Sequence, residues 1–282
     1  MRASRLSYVA ITLAVVLAAF VGCSNTRSRS TAKPRAQAPH ARKSAAGKPA
    51  GKPEASVPKV SLAETAIRAA ARKNRYVFVT FYRESDEASS KMRAVVKAAQ
   101  RTYARRASFV SVDVDDPVHQ DVVSRYGADR SPIPLTLAVA PNGAVTAGFP
   151  NEVKSTDFPR AFVSDGMADV VKAMQNQKLA VLCVQGPRAR HNKETLAAAR
   201  KLAAAPELAG ATQLVRVNSA DRREAKLLQQ LKVNAGSPEA QIVVIAPPGK
   251  VAGKFSGPVP TETMVASVTQ ACGPGGSCGP SG

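Results

Sequence analysis

Short apolar runs alternate with amphipathic stretches through most of this chain of 282 residues. The run YVFVTFY at 76–82 predicts a buried strand, and a polar turn after it leads into a helical pattern that extends to about residue 104. An amphipathic helix is predicted just before this strand, with Ser61 and Glu64 spaced as a capping box. The remaining predictions for the first half are a strand at 109–115, a short helix at 118–127 and strands at 135–140 and 144–149. The first half is therefore expected to have the order β-α-β-α-β-β.

The second half repeats this plan with a weaker pattern. Its predicted elements are strands at 178–185, 212–218 and 241–246, and helices at 165–177, 194–205, 223–231 and 261–272. The helix at 165–177 fits equally well as the last helix of the first half, so the boundary is open at this point. Strands that alternate with helices predict the α/β class in both halves.

The stretch at 76–92 resembles the active-site stretch of the thioredoxin superfamily, in which F-Y-A-x-W-C-x-x-C-K-x-M follows the first central strand. Residues 81–82 (Phe-Tyr) and Met92 match this pattern. The positions of the two cysteines hold Asp86 and Ser89 instead. The resemblance implies the fold of that superfamily, and the substitutions imply that its dithiol chemistry is missing here.

The resemblance continues through V-D-V-D-D-P, Y-G, S-P-I-P-L-T and P-N-G, over about residues 60 to 150. It implies a mixed sheet flanked by helices, with a cis peptide bond before Pro134 beside the redox site. The second half is then a degenerate copy, since QGPRARH follows its first strand where Cys-x-x-Cys would stand. The predicted organisation is a leader at 1–23, a basic linker at 24–59, thioredoxin-like domains at 60–157 and 158–271, and a tail at 272–282.

The first residues have the pattern of a bacterial lipoprotein leader. Arg2 and Arg5 precede an apolar run at 8–21, which ends in Phe-Val-Gly-Cys23. We expect cleavage before Cys23 and lipidation of its thiol, which would anchor the chain in the cell envelope. The alternative is an ordinary secretory leader with a chance cysteine. In a bacterium with two membranes, Ser24 resembles an outer-membrane sorting signal, and the chain would face the periplasm.

The formal net charge is +20, and much of it lies in the linker. Residues 24–60 hold nine Lys or Arg, one Glu and almost no large apolar side chain, so they cannot bury enough surface to fold. This segment is predicted to be a solvated tether or a basic arm that contacts anionic envelope polymers or lipid head groups. Nucleic acid is not an expected partner, because no aromatic residues are interleaved with the basic ones and the leader directs the chain out of the cytoplasm.

Thiol–disulfide exchange requires a thiolate, which Asp86 and Ser89 do not supply. We expect Ser85 or Asp86 to cap the following helix. A polar binding pocket between this turn and Pro134 is the alternative. Cys183 lies in an apolar strand and is predicted to be an inert core residue.

Other polar clusters give weaker signals. The aspartates at 113–116 fit a turn better than a metal site, and the loop at 186–191 fits either an anion site before a helix or a solvated loop.

Cys272 and Cys278 lie in the tail ACGPGGSCGPSG. They could form a local structural disulfide or none, act as a redox pair, or bind a metal, although two thiolates fall short of the four ligands that zinc prefers. The sequence thus favours a redox-inactive envelope module that binds another envelope protein, with no cofactor or metal assigned. The alternatives are an oxidoreductase that uses Cys272 and Cys278, and metal handling through the same tail.

Overall fold

The computed structural model describes residues 61–208 and 210–272, without the side chains of residues 271 and 272. The predictions for Cys23, the linker and Cys278 lie outside the described residues. No helix within the described ranges is long and apolar enough to cross a membrane.

The first unit contains three α-helices and four strands within the described residues. Its elements are α1 (Leu62–Arg72), β1 (Tyr76–Tyr82), α2 (Glu87–Tyr103), β2 (Ala107–Asp113), α3 (Gln120–Arg125), β3 (Leu135–Val139) and β4 (Val145–Pro150). The interior residues of β1 and all of β3 are buried, because both faces of the sheet are covered. These strands therefore appear in the sequence as continuous apolar runs.

The strand order of the first sheet is β2-β1-β3-β4. β1 and β2 are parallel, whereas β3 runs antiparallel to both β1 and β4. Tyr82 pairs with Asp113 and Phe81 pairs with Leu135, so the end of β1, the end of β2 and the start of β3 share one edge. We call this edge the upper edge of the sheet; the segments at 83–86 and 131–134 adjoin it.

The second unit repeats the same arrangement. Its elements are α4 (Asp165–Gln175), β5 (Leu179–Gln185), α5 (Asn192–Ala203), β6 (Thr212–Asn218), α6 (Ala225–Gln230), β7 (Gln241–Ala246), β8 (Lys250–Ser256) and α7 (Thr261–Cys272). The strand order is β6-β5-β7-β8, with β5 parallel to β6 and antiparallel to β7. The predicted fold class is confirmed: the chain is α/β, with two mixed four-stranded sheets flanked by helices, and each unit has the topology of a thioredoxin fold.

The predicted boundary between residues 157 and 158 stays a prediction, and it falls inside a 3-10 helix, Ser155–Ala161. Phe158 and Ala161 of this helix are buried in one cluster with Phe78 and Phe149 of the first sheet. The helix contacts α2 and β4, so its packing is with the first unit.

The helix α4 is the first helix of the second unit. It packs on β5 and β6 as α1 packs on β1 and β2, and it contributes Ala173 and Met174 to the second core. It also contacts the first unit, since the side-chain amide of Gln175 exchanges two hydrogen bonds with the backbone of Val145, at 3.1 and 2.8 Å. This helix therefore joins the two units.

Candidate functional site

The sequence predicts Asp86 and Ser89 at the two cysteine positions; Asp86 lies in the turn between β1 and α2, and Ser89 in the first turn of α2. Asp86 is the N-cap of α2 and accepts a hydrogen bond from the backbone N–H of Ser89 at 2.8 Å. The Ser89 hydroxyl donates to the same carboxylate oxygen at 2.7 Å and accepts from the backbone N–H of Arg83 at 3.2 Å. The predicted capping role of Asp86 is confirmed.

These bonds also set the chemistry of the pair. The hydroxyl and backbone N–H of Ser89 stabilise the carboxylate and lower the pKa of Asp86 below its ordinary value. Ser89 is fully buried, and its proton is directed at a carboxylate that is ionised at neutral pH. The turn is thus a closed cap, without a thiol or an exposed, activated hydroxyl.

Pro134 lies at the same edge of the sheet, one residue before the pairing of Leu135 with Phe81. The Ile133–Pro134 peptide bond is cis, as the thioredoxin resemblance implies. The Pro134 carbonyl accepts a hydrogen bond from the backbone N–H of Asn151 at 2.7 Å. The pocket between this proline and the turn stays a prediction.

Buried hydroxyl groups lie under this edge of the first sheet. Thr80 and Thr136 face each other across β1 and β3 with their Oγ1 atoms 3.0 Å apart. Thr136 also contacts the sulfur of Met92 at 3.1 Å. The two hydroxyl groups are therefore paired within the core and are not available to bind a ligand.

In the second unit, the corresponding edge carries a loop that side chains hold in place. The Asn192 amide nitrogen, at the start of α5, donates to the carbonyls of Gly186 and Ala189 at 2.8 and 3.0 Å. The Arg190 backbone pairs with the segment before β7, donating to the Pro238 carbonyl at 2.8 Å. The loop predicted from the sequence is therefore an ordered part of the sheet edge.

An open groove adjoins this loop. Its lining residues include Gln185, Gly186, Pro187, Asn192, Arg216 and Asn218. Arg216 is exposed, and none of the ion pairs among the described residues involves it. The Asn192 side-chain oxygen is buried without a hydrogen-bond partner among the described residues. The groove offers a cation and amide groups for binding a polar partner.

The other candidate residues serve the structure. Cys183 is fully buried, and burial raises the pKa of its thiol to about 11, as its predicted core role requires. In the aspartate cluster, Asp116 accepts from the backbone N–H of Val118 at 2.9 Å, which is a turn bond. Within the described ranges, no group of three or more potential ligands is placed to hold a metal ion.

Comparisons with known proteins find similarity at low sequence identity only. The sequence matches no protein-family model and no curated protein. The chain is similar to human ERp44 at 13% identity, over 72% of this chain and 53% of that chain, with a TM-score of 0.32. It is also similar to the germline-specific thioredoxin Deadhead of Drosophila melanogaster, at 18% identity over 36% of this chain and 90% of that chain, with a TM-score of 0.29. For the oxidised thioredoxin from Plasmodium falciparum, the identity is 18% over 36% of this chain and 88% of that chain, with a TM-score of 0.29.

Proposed function

We propose that this protein is a redox-inactive, thioredoxin-like binding or scaffold module of the bacterial cell envelope. The observation that carries the proposal is the pair at the two dithiol positions. Asp86 and Ser89 bond to each other and to the turn, and Ser89 is fully buried. A site for thiol exchange must instead present an accessible thiolate to a disulfide.

The loop edge of the second unit carries an open groove. In α/β sheets, ligands commonly bind outside the carboxyl ends of the strands. The groove at Gln185, Asn192 and Arg216 lies at that end of β5 and β6, and it contains neither a thiol nor a carboxylate. We propose that it receives a polar or acidic segment of another envelope protein.

The rival function is thiol–disulfide exchange by Cys272 and Cys278. This function can be tested with a disulfide-reduction assay on the chain without residues 1–23, a truncation that leaves both units complete. The same chain with Cys272→Ser/Cys278→Ser is the control. We expect no reductase activity from either protein. Activity that the double substitution abolishes would refute the binding-module proposal.

The redox state of the tail gives a second, independent measurement. Thiol alkylation and mass spectrometry across a series of glutathione ratios would report the pairing of Cys272 and Cys278. Reversible switching between roughly −120 and −270 mV, the range of known exchange proteins, would favour the oxidoreductase. A pair that stays oxidised in strongly reducing buffer, or that never forms, would favour the binding module.

Envelope anchoring is part of the same proposal, and the sequence pattern around Cys23 supports it. Expression in a bacterial host with labelled palmitate should label the chain and place it in the membrane fraction. Cys23→Ser should remove the label, together with the part of the membrane association that survives a high-salt wash. Equal labelling of this variant would show that Cys23 is not the lipidated residue.

A further inference from the structure

One end of the first unit carries a dense group of positive charges, which we call the basic end. Two segments supply it, 71–75 and 97–107, and neither contains an Asp or a Glu. Its members are Arg72, Lys73, Arg75, Lys97, Arg101, Arg105 and Arg106. This end lies away from the turn at 83–89 and belongs to no site described above.

The fold itself brings the two segments together. Helices α1 and α2 each end just before a strand begins, and those strands, β1 and β2, are parallel. Tyr76 pairs with Ala107, so both strands start at the lower edge of the sheet. Arg75 links the segments, because its Nη2 atom donates to the carbonyl of Ala104 and, at 2.6 Å, to that of Ala107.

Structural needs account for only part of this charge. Cations near helix C-termini stabilise the helix dipole, and Arg75 already binds two carbonyls there. Arg106 lies over the ring of Phe162 at 4.0 Å. The side chains of Arg72, Arg101 and Arg105 are exposed, however, and none of the ion pairs among the described residues includes them.

The charge of the first unit is strongly asymmetric. Residues 61–161 contain 15 Lys and Arg and 11 Asp and Glu. Seven of these cations belong to the basic end, which leaves 8 cations against 11 carboxylates elsewhere in the unit. The basic end is therefore a local positive field on a unit that is otherwise slightly negative.

We propose that the basic end binds the surface of an anionic phospholipid bilayer. Its cations are spread over the exposed end of a domain, which suits many head groups in a plane better than one small ligand. Recognition of single-stranded nucleic acid would require exposed aromatic rings for base stacking. The nearby rings do not supply these, since Tyr103 is half-buried and Phe162 is covered by Arg106.

This inference goes beyond the proposed function and does not depend on a lipid anchor. The test uses the chain without residues 1–23, in sedimentation with vesicles of phosphatidylcholine alone or mixed with phosphatidylglycerol. We expect binding to the anionic vesicles only, weakening as salt is raised. The affinity for anionic vesicles should fall on the order of 100-fold in the variant Arg72→Gln/Lys73→Gln/Arg101→Gln/Arg105→Gln.

A matched control separates the basic end from total charge. Arg200→Gln/Lys201→Gln/Arg222→Gln/Lys226→Gln also removes four positive charges, from exposed positions of the second unit that do not line the groove. This variant should bind almost as well as the parent, and the basic linker is the same in all proteins compared. The smaller change Arg101→Gln/Arg105→Gln should lose about tenfold, which keeps the test valid if the quadruple variant fails to fold.

Four results would overturn the proposal. The parent could fail to bind anionic vesicles at physiological salt, or bind neutral vesicles equally well. The two quadruple variants could lose affinity equally, which would assign binding to overall charge. Soluble polyglutamate could bind the parent more tightly than the vesicles in the same buffer, which would indicate an anionic polymer instead. None of these results bears on the disulfide-reduction assay, so the two proposals fail independently.

Discussion

Ser89 is predicted at the position of the second cysteine of a thioredoxin, and its hydroxyl makes two hydrogen bonds, to Asp86 and Arg83. Ser89→Ala should lower the free energy of unfolding by about 1 kcal/mol, because the Arg83 N–H loses its acceptor and Asp86 loses a donor. Denaturant unfolding would measure this change. Ser90→Ala, at the exposed neighbouring position, should have almost no effect, and equal losses for both variants would contradict the assigned role.

Cys183 should not react with thiol reagents in the folded protein. Burial raises the pKa of its thiol from 9.0 to about 11, so the reactive thiolate is rare at neutral pH. The raised pKa also makes stability depend on pH: the free energy of unfolding should fall as the pH rises from 9.0 to about 11, because over that range only the unfolded chain loses the thiol proton. Alkylation followed by mass spectrometry should label Cys183 only after unfolding in guanidinium, and rapid labelling of the native protein at neutral pH would show that the strand opens.

The sequence predicts single-residue roles well where the partners are close in the chain. The Asp86 cap could be predicted because its partner, Ser89, is three residues away on the same helix. The role of Arg216 could not be predicted, since it depends on the pairing of β5 with β6 and on a loop about 30 residues earlier. Its exposed position in a strand is typical of any solvated arginine.

At the scale of elements, the N-terminus of α2 carries Asp86 and Ser89 at the positions where the sequence resemblance predicts the two cysteines of a redox helix. Asp86→Cys/Ser89→Cys should give disulfide-reductase activity that the parent lacks, because thiolates are stabilised at a helix N-terminus. A disulfide-reduction assay would measure it, in a Cys272→Ser/Cys278→Ser background so that the tail does not contribute. Asp86→Cys alone is the control, since one thiol cannot close the intramolecular disulfide. A folded double variant without activity would show that the turn lacks more than its cysteines.

Element boundaries were harder to predict than element types. The second strand was expected at 109–115 but spans Ala107–Asp113, because its register is set by parallel pairing with β1. The sequence pattern does not indicate the 3-10 helix Ser155–Ala161, because this helix is short and contains Pro159. The burial of Phe158 could not be read from the sequence, because it depends on aromatic partners such as Phe78, at 5.1 Å between ring centroids, far away in the chain.

At the scale of the whole molecule, α4 ties the units together through the turn that connects β3 with β4. Besides the bonds of Gln175, Asn142 donates to Asp169 at 2.8 Å and Lys172 donates to the Gly143 carbonyl at 3.1 Å. Gln175→Ala should speed amide hydrogen exchange at Val145, because that amide loses its acceptor. Exchange in β5 should not change.

Gln229→Ala, at an exposed site on α6, provides the control for this measurement. Both proteins should unfold with similar midpoints, since the contact between units is a small part of either core. Unchanged exchange at Val145 in the Gln175→Ala protein would mean that the turn is protected by the first unit alone.

The part of the chain that the structure describes is held together by apolar packing and hydrogen bonding, and its buried Cys183 is unpaired. Between residues 61 and 270 the fold therefore does not depend on a disulfide bond. We expect both sheets to keep their structure when the surroundings change between oxidising and reducing conditions.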